Sequence, residues 1–278
     1  MNQPIKLIVT DLDGTLFNSQ HQLSERTEKA LKAAIEKGVK VVLATGKTRT
    51  SGLDVIQRLN LDTPGIYLQG LAIYNADGTM RWQQTLDPKV ARTAINAGED
   101  RGFTMVAYSG TRVLCRARNR DTDELMKYHE GAPEAVGPLQ NLLDTLPINK
   151  VLAIKLAQPR AVTALRWQIG TQINGTGKLV QALDDMLEIL PPGGSKGAAL
   201  KMLLKDMKIP AEQVLAIGDG ENDIEMIQLA GIGVAVGNAH QKLKDAANHV
   251  VASNDEDGVA EAVERFVLVE TPTPAIDK

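Results

Sequence analysis

IKLIVTDLDGT, residues 5–15, is the stretch that decides how this chain folds. IKLIVT (5–10) is a continuous apolar run, the mark of a strand buried on both faces. It ends abruptly at two aspartates, a glycine and a threonine. VKVVLA (39–44) is a second run of the same kind. Between them, Ser24 reads as the N-cap of a helix that continues to Lys37, with Gly38 as its stop. A helix at about 48–59 and a third strand, GIYLQ (65–69), follow. This βαβαβ order predicts parallel strands joined by right-handed crossovers.

Farther along, the rhythm changes. LAIYN and TMRWQQTL flank the turn Ala76-Asp77-Gly78 and predict a hairpin. Asp87-Pro88 opens a helix to about Arg101, as an N-cap followed by proline at N1. FTMVAY and TRVLCRA predict another hairpin, turning at Ser109-Gly110. A helix at about 119–129, a Gly/Pro-bearing stretch at 131–147, a strand at 150–157, a helix at 160–171 and two strands within 178–190 complete the middle. Hairpins mixed with helices indicate an α+β unit.

PPGGSKG (191–197) is a Pro/Gly joint, and beyond it the α/β rhythm returns. Strands at 214–218, 232–236 and 249–252 alternate with helices at 197–207, 222–229, 239–247 and 257–266. The expected architecture is α/β. A Rossmann-like parallel-sheet core comes from residues 1–83 and 191–270, and an α+β domain is inserted at 84–190. The tail TPTPAIDK (271–278) reads as disordered.

Composition narrows the function classes. The chain has 278 residues, is 43% hydrophobic and 23% charged, and carries a net charge of −3. That balance offers no electrostatic footprint for nucleic acid or an anionic membrane. No apolar run approaches the roughly 20 residues of a membrane helix. IKLIVT is too short for a signal peptide, so the cytoplasm is the expected location. The one cysteine, Cys115, forms no intrachain disulfide and reads as a buried small apolar residue. Arg112, Arg116 and Arg118 alternate with apolar residues, as on the solvated face of a sheet.

Ligands of open parallel sheets bind beyond the carboxyl ends of the strands. DLDGT follows the first strand, TGKT the second and DGEND the strand at 214–218, while Ser195-Lys196 stands before a helix. Asp11 and Asp13, two apart at a strand end, face one way; alone, they also fit an N-capping and a solvated aspartate. Asp219 ends a strand, and Asn222 and Asp223 open a helix whose N–H groups suit an anion. Together these carboxylates form an oxygen-rich set of the kind Mg²⁺ prefers. The histidines (21, 129, 240, 249) are scattered, so nothing points to zinc. Thr45 and Gly46 fit either a phosphate cradle or an ordinary helix cap. Lys196 opposes the helix dipole, as a lysine does beside a negative group or simply at a surface. The glycines of GIGVAVG (231–237) do not match a dinucleotide turn, and there is neither a Walker-type loop nor a serine triad.

DLDGTL, ATGKT, SKG and GDGENDIEM, in this order and with an insertion between the second and third, resemble the haloacid dehalogenase superfamily. The likeness is closest to its Cof-type phosphatases, which carry a C2-type cap. It implies that Asp11 is the nucleophile and that Asp13 is general acid, then base. Mg²⁺ would be held by Asp11, the Asp13 carbonyl and Asp219, with Asp223 orienting metal-bound water or supporting the loop. Thr45, Gly46 and Lys196 would hold the phosphoryl oxygens, assisted by Asn222. The insertion at 84–190 would be the cap. Two departures touch specificity: Lys47 stands where the family usually has Arg, and QGLA (69–72) stands for a segment often reading NGA.

The expected function is a Mg²⁺-dependent phosphatase of small phosphorylated metabolites such as sugar phosphates, as a monomer or small homo-oligomer. A sugar phosphomutase on the same scaffold and a non-catalytic metabolite-binding protein are the alternatives.

Overall fold

The computed structural model describes residues 3–127 and 130–269. The tail expected at 271–278 lies outside them, as does the end of the helix expected at 119–129, whose described part is Arg120–Lys127. The chain divides into two compact units, one from 1–44, 55–63 and 200–278, the other from 45–54 and 64–199.

The first unit is built on a five-stranded parallel sheet. Its spatial order is His249–Val250, Ile232–Ala235, Val214–Gly218, Leu7–Thr10 and Lys40–Leu43. Leu7, Ile8 and Val9 expose nothing, as a strand covered on both faces requires. The helix Glu25–Glu36 starts where the sequence places it, with the Ser24 hydroxyl accepting from Thr27 N at 3.1 Å. The strand Leu7–Thr10 has Lys40–Leu43 on one side and Val214–Gly218 on the other. Chain direction across the sheet therefore reverses there, and a crevice opens at the carboxyl ends of such strands.

The third strand is a correction. Gly65–Tyr67 does not extend the parallel sheet; it pairs antiparallel with Ala72–Tyr74, which pairs with Met80–Gln83. The cause is local: Leu68, Gln69 and Gly70 all have positive φ, at 54°, 62° and 88°. Three left-handed residues in a row turn the chain back on itself before it can leave for a crossover.

The second unit also contains a six-stranded sheet, ordered Lys178–Leu183, Met186–Leu190, Lys150–Ile154, Thr104–Ser109, Arg112–Cys115 and Glu134–Ala135. Its pairs are antiparallel except the last, which is parallel. The helices Pro88–Glu99 and Pro159–Ile173 cover one face through Ala94, Ile95, Leu165 and Ile169. The other face, with Val106, Tyr108, Leu152 and Ile154, packs on Tyr67, Leu71 and Tyr74 of the small sheet. Burial in this interior pushes the Tyr67 phenol up to about 12. Cys115 is buried there, and burial likewise raises its thiol, which keeps it protonated and unreactive. Arg112 reaches out to Glu134 with its side chain 47% exposed, the solvated face that its alternation implied.

Candidate functional site

The acidic residues belong to the first unit, and strand register gathers them. Thr10 pairs with Ile217, and Asp11 N donates to Ile217 O at 3.1 Å, so the chain ends of the two strands emerge side by side. Carboxylate oxygens of Asp11, Asp219 and Asp223 lie within 4.8 Å of one another. Each has its own support. Asp11 Oδ1 accepts from Leu12 N at 2.7 Å. Asp219 Oδ1 accepts from the Thr15 hydroxyl at 2.9 Å. Asp223 is fully buried, and its Oδ2 accepts from Asp219 N and Gly220 N at 3.1 and 3.0 Å. Asp223 therefore holds the loop that carries Asp219.

Gly14 permits this approach. Its φ is +69°, and a Cβ there would collide with the Asp219 carboxylate. Asp13 is half-buried, with Oδ1 3.4 Å from His21 Nδ1. Asn222 is exposed in the turn after Gly220.

Thr45, Gly46 and Lys196 belong to the second unit. Thr45 is buried, and its hydroxyl oxygen accepts from Lys47 N at 3.2 Å. The loop leans on the turn at 68–70: Gln69 N donates to Thr45 O at 3.2 Å and Leu68 N to Lys47 O at 2.9 Å. That same turn meets the Pro/Gly joint, because a Cβ on Gly70 would strike the Ser195 carbonyl and Lys196 N. QGLA thus lies between the ATGK and SKG segments. Ser195 caps the helix Lys196–Met207, its hydroxyl accepting from Ala198 N at 3.0 Å. Lys196 is 1% exposed at the first position of that helix. A buried ammonium at the positive end of a helix favours negative charge beside it.

Residues 8–263 match the model of the haloacid dehalogenase-like hydrolases. The chain belongs to this family. It is 37% identical over 272 residues to a chloroplastic endoribonuclease YBEY of Arabidopsis thaliana, covering 94% of this chain but 46% of that relative. It is 28% identical to phosphatase YwpJ of Bacillus subtilis, covering 95% of this chain and all of that one. It is 29% identical to the 5-amino-6-(5-phospho-D-ribitylamino)uracil phosphatase YcsE of the same bacterium, over 95% of this chain and 96% of that one. A solved haloacid dehalogenase-like hydrolase from Bacteroides thetaiotaomicron superposes with a TM-score of 0.85 at 30% identity, covering 94% and 99% of the two chains. The family and the phosphatase-named relatives together support a phosphatase enzyme.

Two residues of this hydrolase escaped the sequence reading. Asn238 donates from Nδ2 to Gly14 O at 2.8 Å, and its Oδ1 accepts from Asn254 N at 2.9 Å, so it pins the DLDGT loop from the side. It stands just beyond the strand Ile232–Ala235, and that place at the carboxyl end of a parallel strand is the signal that could have found it. His21, beside Asp13, has a φ of +58°, and its ring lies tilted at 45° to that of Phe17 with centres 4.3 Å apart. No periodicity marks it. Among the described residues, no helix is long and apolar enough to cross a membrane.

Proposed function

We propose that this chain is a Mg²⁺-dependent phosphatase of small phosphomonoesters, sugar phosphates or related metabolites, working through an aspartyl-phosphate on Asp11. The observation that carries the reading is the gathering of Asp11, Asp219 and Asp223 at the ends of two adjacent parallel strands. The donor set fits the metal: it is made of carboxylate oxygens, with no thiolate or imidazole, and Mg²⁺ takes one or two carboxylates plus other oxygens. Asp11 and Asp219, with the Asp13 carbonyl, would hold the ion, while Asp223 is engaged with the loop amides. When bound, Mg²⁺ neutralises charge on the phosphoryl group and on the attacking carboxylate.

The chain's own residues then divide the work. An Asp11 oxygen attacks phosphorus and the ester P–O bond breaks, with Asp13 giving its proton to the leaving alkoxide. A water then attacks the aspartyl-phosphate, Asp13 takes its proton, and the bond to Asp11 breaks to release inorganic phosphate. Thr45, Gly46, Lys196 and Asn222 hold the phosphoryl oxygens, since this chemistry needs mostly positioning and charge stabilisation. Residues 84–190 form the cap that selects the leaving group. The relatives named as phosphatases of small phosphorylated metabolites support this class of substrate.

The test is phosphate release from a panel of sugar, nucleotide and vitamin phosphates. Release that requires Mg²⁺, stops with EDTA and returns on adding Mg²⁺ is expected. Turnover that survives thorough chelation would contradict the metal assignment, and silence across the panel would contradict the function.

A further inference from the structure

Lys150 and Glu188 form a buried ion pair that the proposed chemistry does not use. Their side chains are 3% and 13% exposed, with Nζ 2.5 Å from Oε1. By the period-two rule they share the sheet face that otherwise carries Leu152, Ile154, Met186 and Leu190. The desolvation cost of such a pair often exceeds its attraction, and two apolar residues would commonly serve stability as well. What the pair touches gives it another use. Lys150 Nζ donates to Gly46 O at 3.1 Å and lies 4.5 Å from the centre of the Tyr108 ring. Glu188 Oε2 accepts from Gln69 Nε2 at 3.3 Å. Gln69 in turn packs on Gly46, where its amide occupies the space a Cβ would need.

The three carbonyls of Thr45, Gly46 and Lys47 are thus each met by a donor. Two donors are the main-chain amides of Gln69 and Leu68; the third is the Lys150 ammonium. A peptide is planar, with its C=O and N–H pointing in opposite directions. Fixing Gly46 O therefore fixes the direction of Lys47 N–H, which donates to Thr45 Oγ1 at 3.2 Å. A hydroxyl that accepts from a fixed N–H has its own proton directed to another acceptor.

We infer that Lys150, anchored by Glu188, is a positioning residue for phosphoryl transfer, acting through the Gly46–Lys47 peptide to aim the Thr45 hydroxyl at a phosphoryl oxygen. This rests on the proposal that Thr45 and Gly46 hold that group. It makes a residue of the α+β sheet part of the phosphate loop's geometry, with no contact to the substrate of its own.

The experiment compares Lys150→Met, Thr45→Val and the combined variant, using para-nitrophenyl phosphate with Mg²⁺. Lys150→Met leaves a lone buried carboxylate; if circular dichroism shows that it does not fold, Lys150→Met/Glu188→Gln, which removes both charges, takes its place. The expected result is a fall in kcat of roughly 10–100-fold, as for a small misplacement of a reacting group. In the combined variant kcat should lie within about twofold of Thr45→Val alone, because both changes act through one hydroxyl. Two results would overturn the inference: a folded variant with kcat within about twofold of wild type, or losses that multiply when combined. Silence of the wild-type protein is a separate result, against the phosphatase reading. Calorimetric binding of inorganic phosphate then decides: roughly tenfold weaker binding in the Lys150 variant upholds the inference, while equal binding, or none to wild type, overturns it.

Discussion

In the first unit the carboxylates of Asp11, Asp219 and Asp223 crowd within 4.8 Å of one another; in the second, Lys150 and Glu188 close a single pair at 2.5 Å. Both are charge drawn out of water, but the signs differ. Like charges at such distances raise the energy of the folded chain and favour any cation that enters among them. Opposite charges balance within the protein and serve its geometry. On the proposed reading, the first is a place for a ligand and the second a place that holds a loop. The contrast also predicts opposite responses to neutralisation.

Asp11→Asn gives the largest effect. Turnover should fall by about 10³-fold or more, as for loss of a nucleophile. The same change relieves repulsion, so the metal-free thermal midpoint should hold or rise. Lys150→Met, which strands a carboxylate, should lower its midpoint. Steady-state kinetics and melting in EDTA check both halves. Asp11→Asn with near-normal turnover would remove the nucleophile from the proposal, and an Asp11→Asn midpoint below wild type would break the contrast.

Asp13→Asn comes next, with an expected loss of about 10²–10⁴-fold that is greatest for esters of weakly acidic alcohols. Activated aryl phosphates need little protonation of the leaving group and should lose least. Equal slowing across a leaving-group series would assign Asp13 another role.

The two regions also differ in how far they could be read without coordinates. DLDGT and GDGEND stand at the ends of apolar runs, and parallel strands bring such ends to one edge, so Asp11 and Asp219 were legible as neighbours. Ser24 and Asp87 were legible as helix caps because capping is a local hydrogen bond. The third strand misled because GIYLQ is as apolar as a parallel strand. Nothing in its composition reveals that Leu68 and Gln69 take positive φ, a conformation costing roughly 1–2 kcal/mol per residue. Lys150 and Glu188 were illegible for a different reason. In KVLAI and MLEIL a single charge reads as a strand's wet edge; that both side chains point inward and meet depends on a pairing 38 residues apart in sequence.

Gly14→Ala tests the acidic side at its backbone. A side chain at φ +69° costs roughly 1–2 kcal/mol, and its Cβ would press on the Asp219 carboxylate. Stability in urea should fall by about that amount. The Mg²⁺ concentration for half-maximal turnover should rise, because Asp219 is displaced. Altered stability with an unchanged Mg²⁺ response would mean that Gly14 serves only the turn.

Arg112→Ala should do least, and that is its value beside Lys150. The two residues stand on strands that flank Thr104–Ser109 in one sheet, and each pairs with a glutamate. Arg112 and Glu134 are about half exposed at 47% and 45%, so water and salt screen their attraction and both ends are solvated with or without the partner. Their pairing holds Arg112 more firmly protonated and Glu134 more readily ionised. The turnover of Arg112→Ala should stay within about twofold of wild type, and 0.5 M salt should leave that ratio unchanged. If Arg112→Ala slows turnover as much as Lys150→Met does, the effect of Lys150 belongs to the sheet as a whole, and its bond to Gly46 has no special part in it.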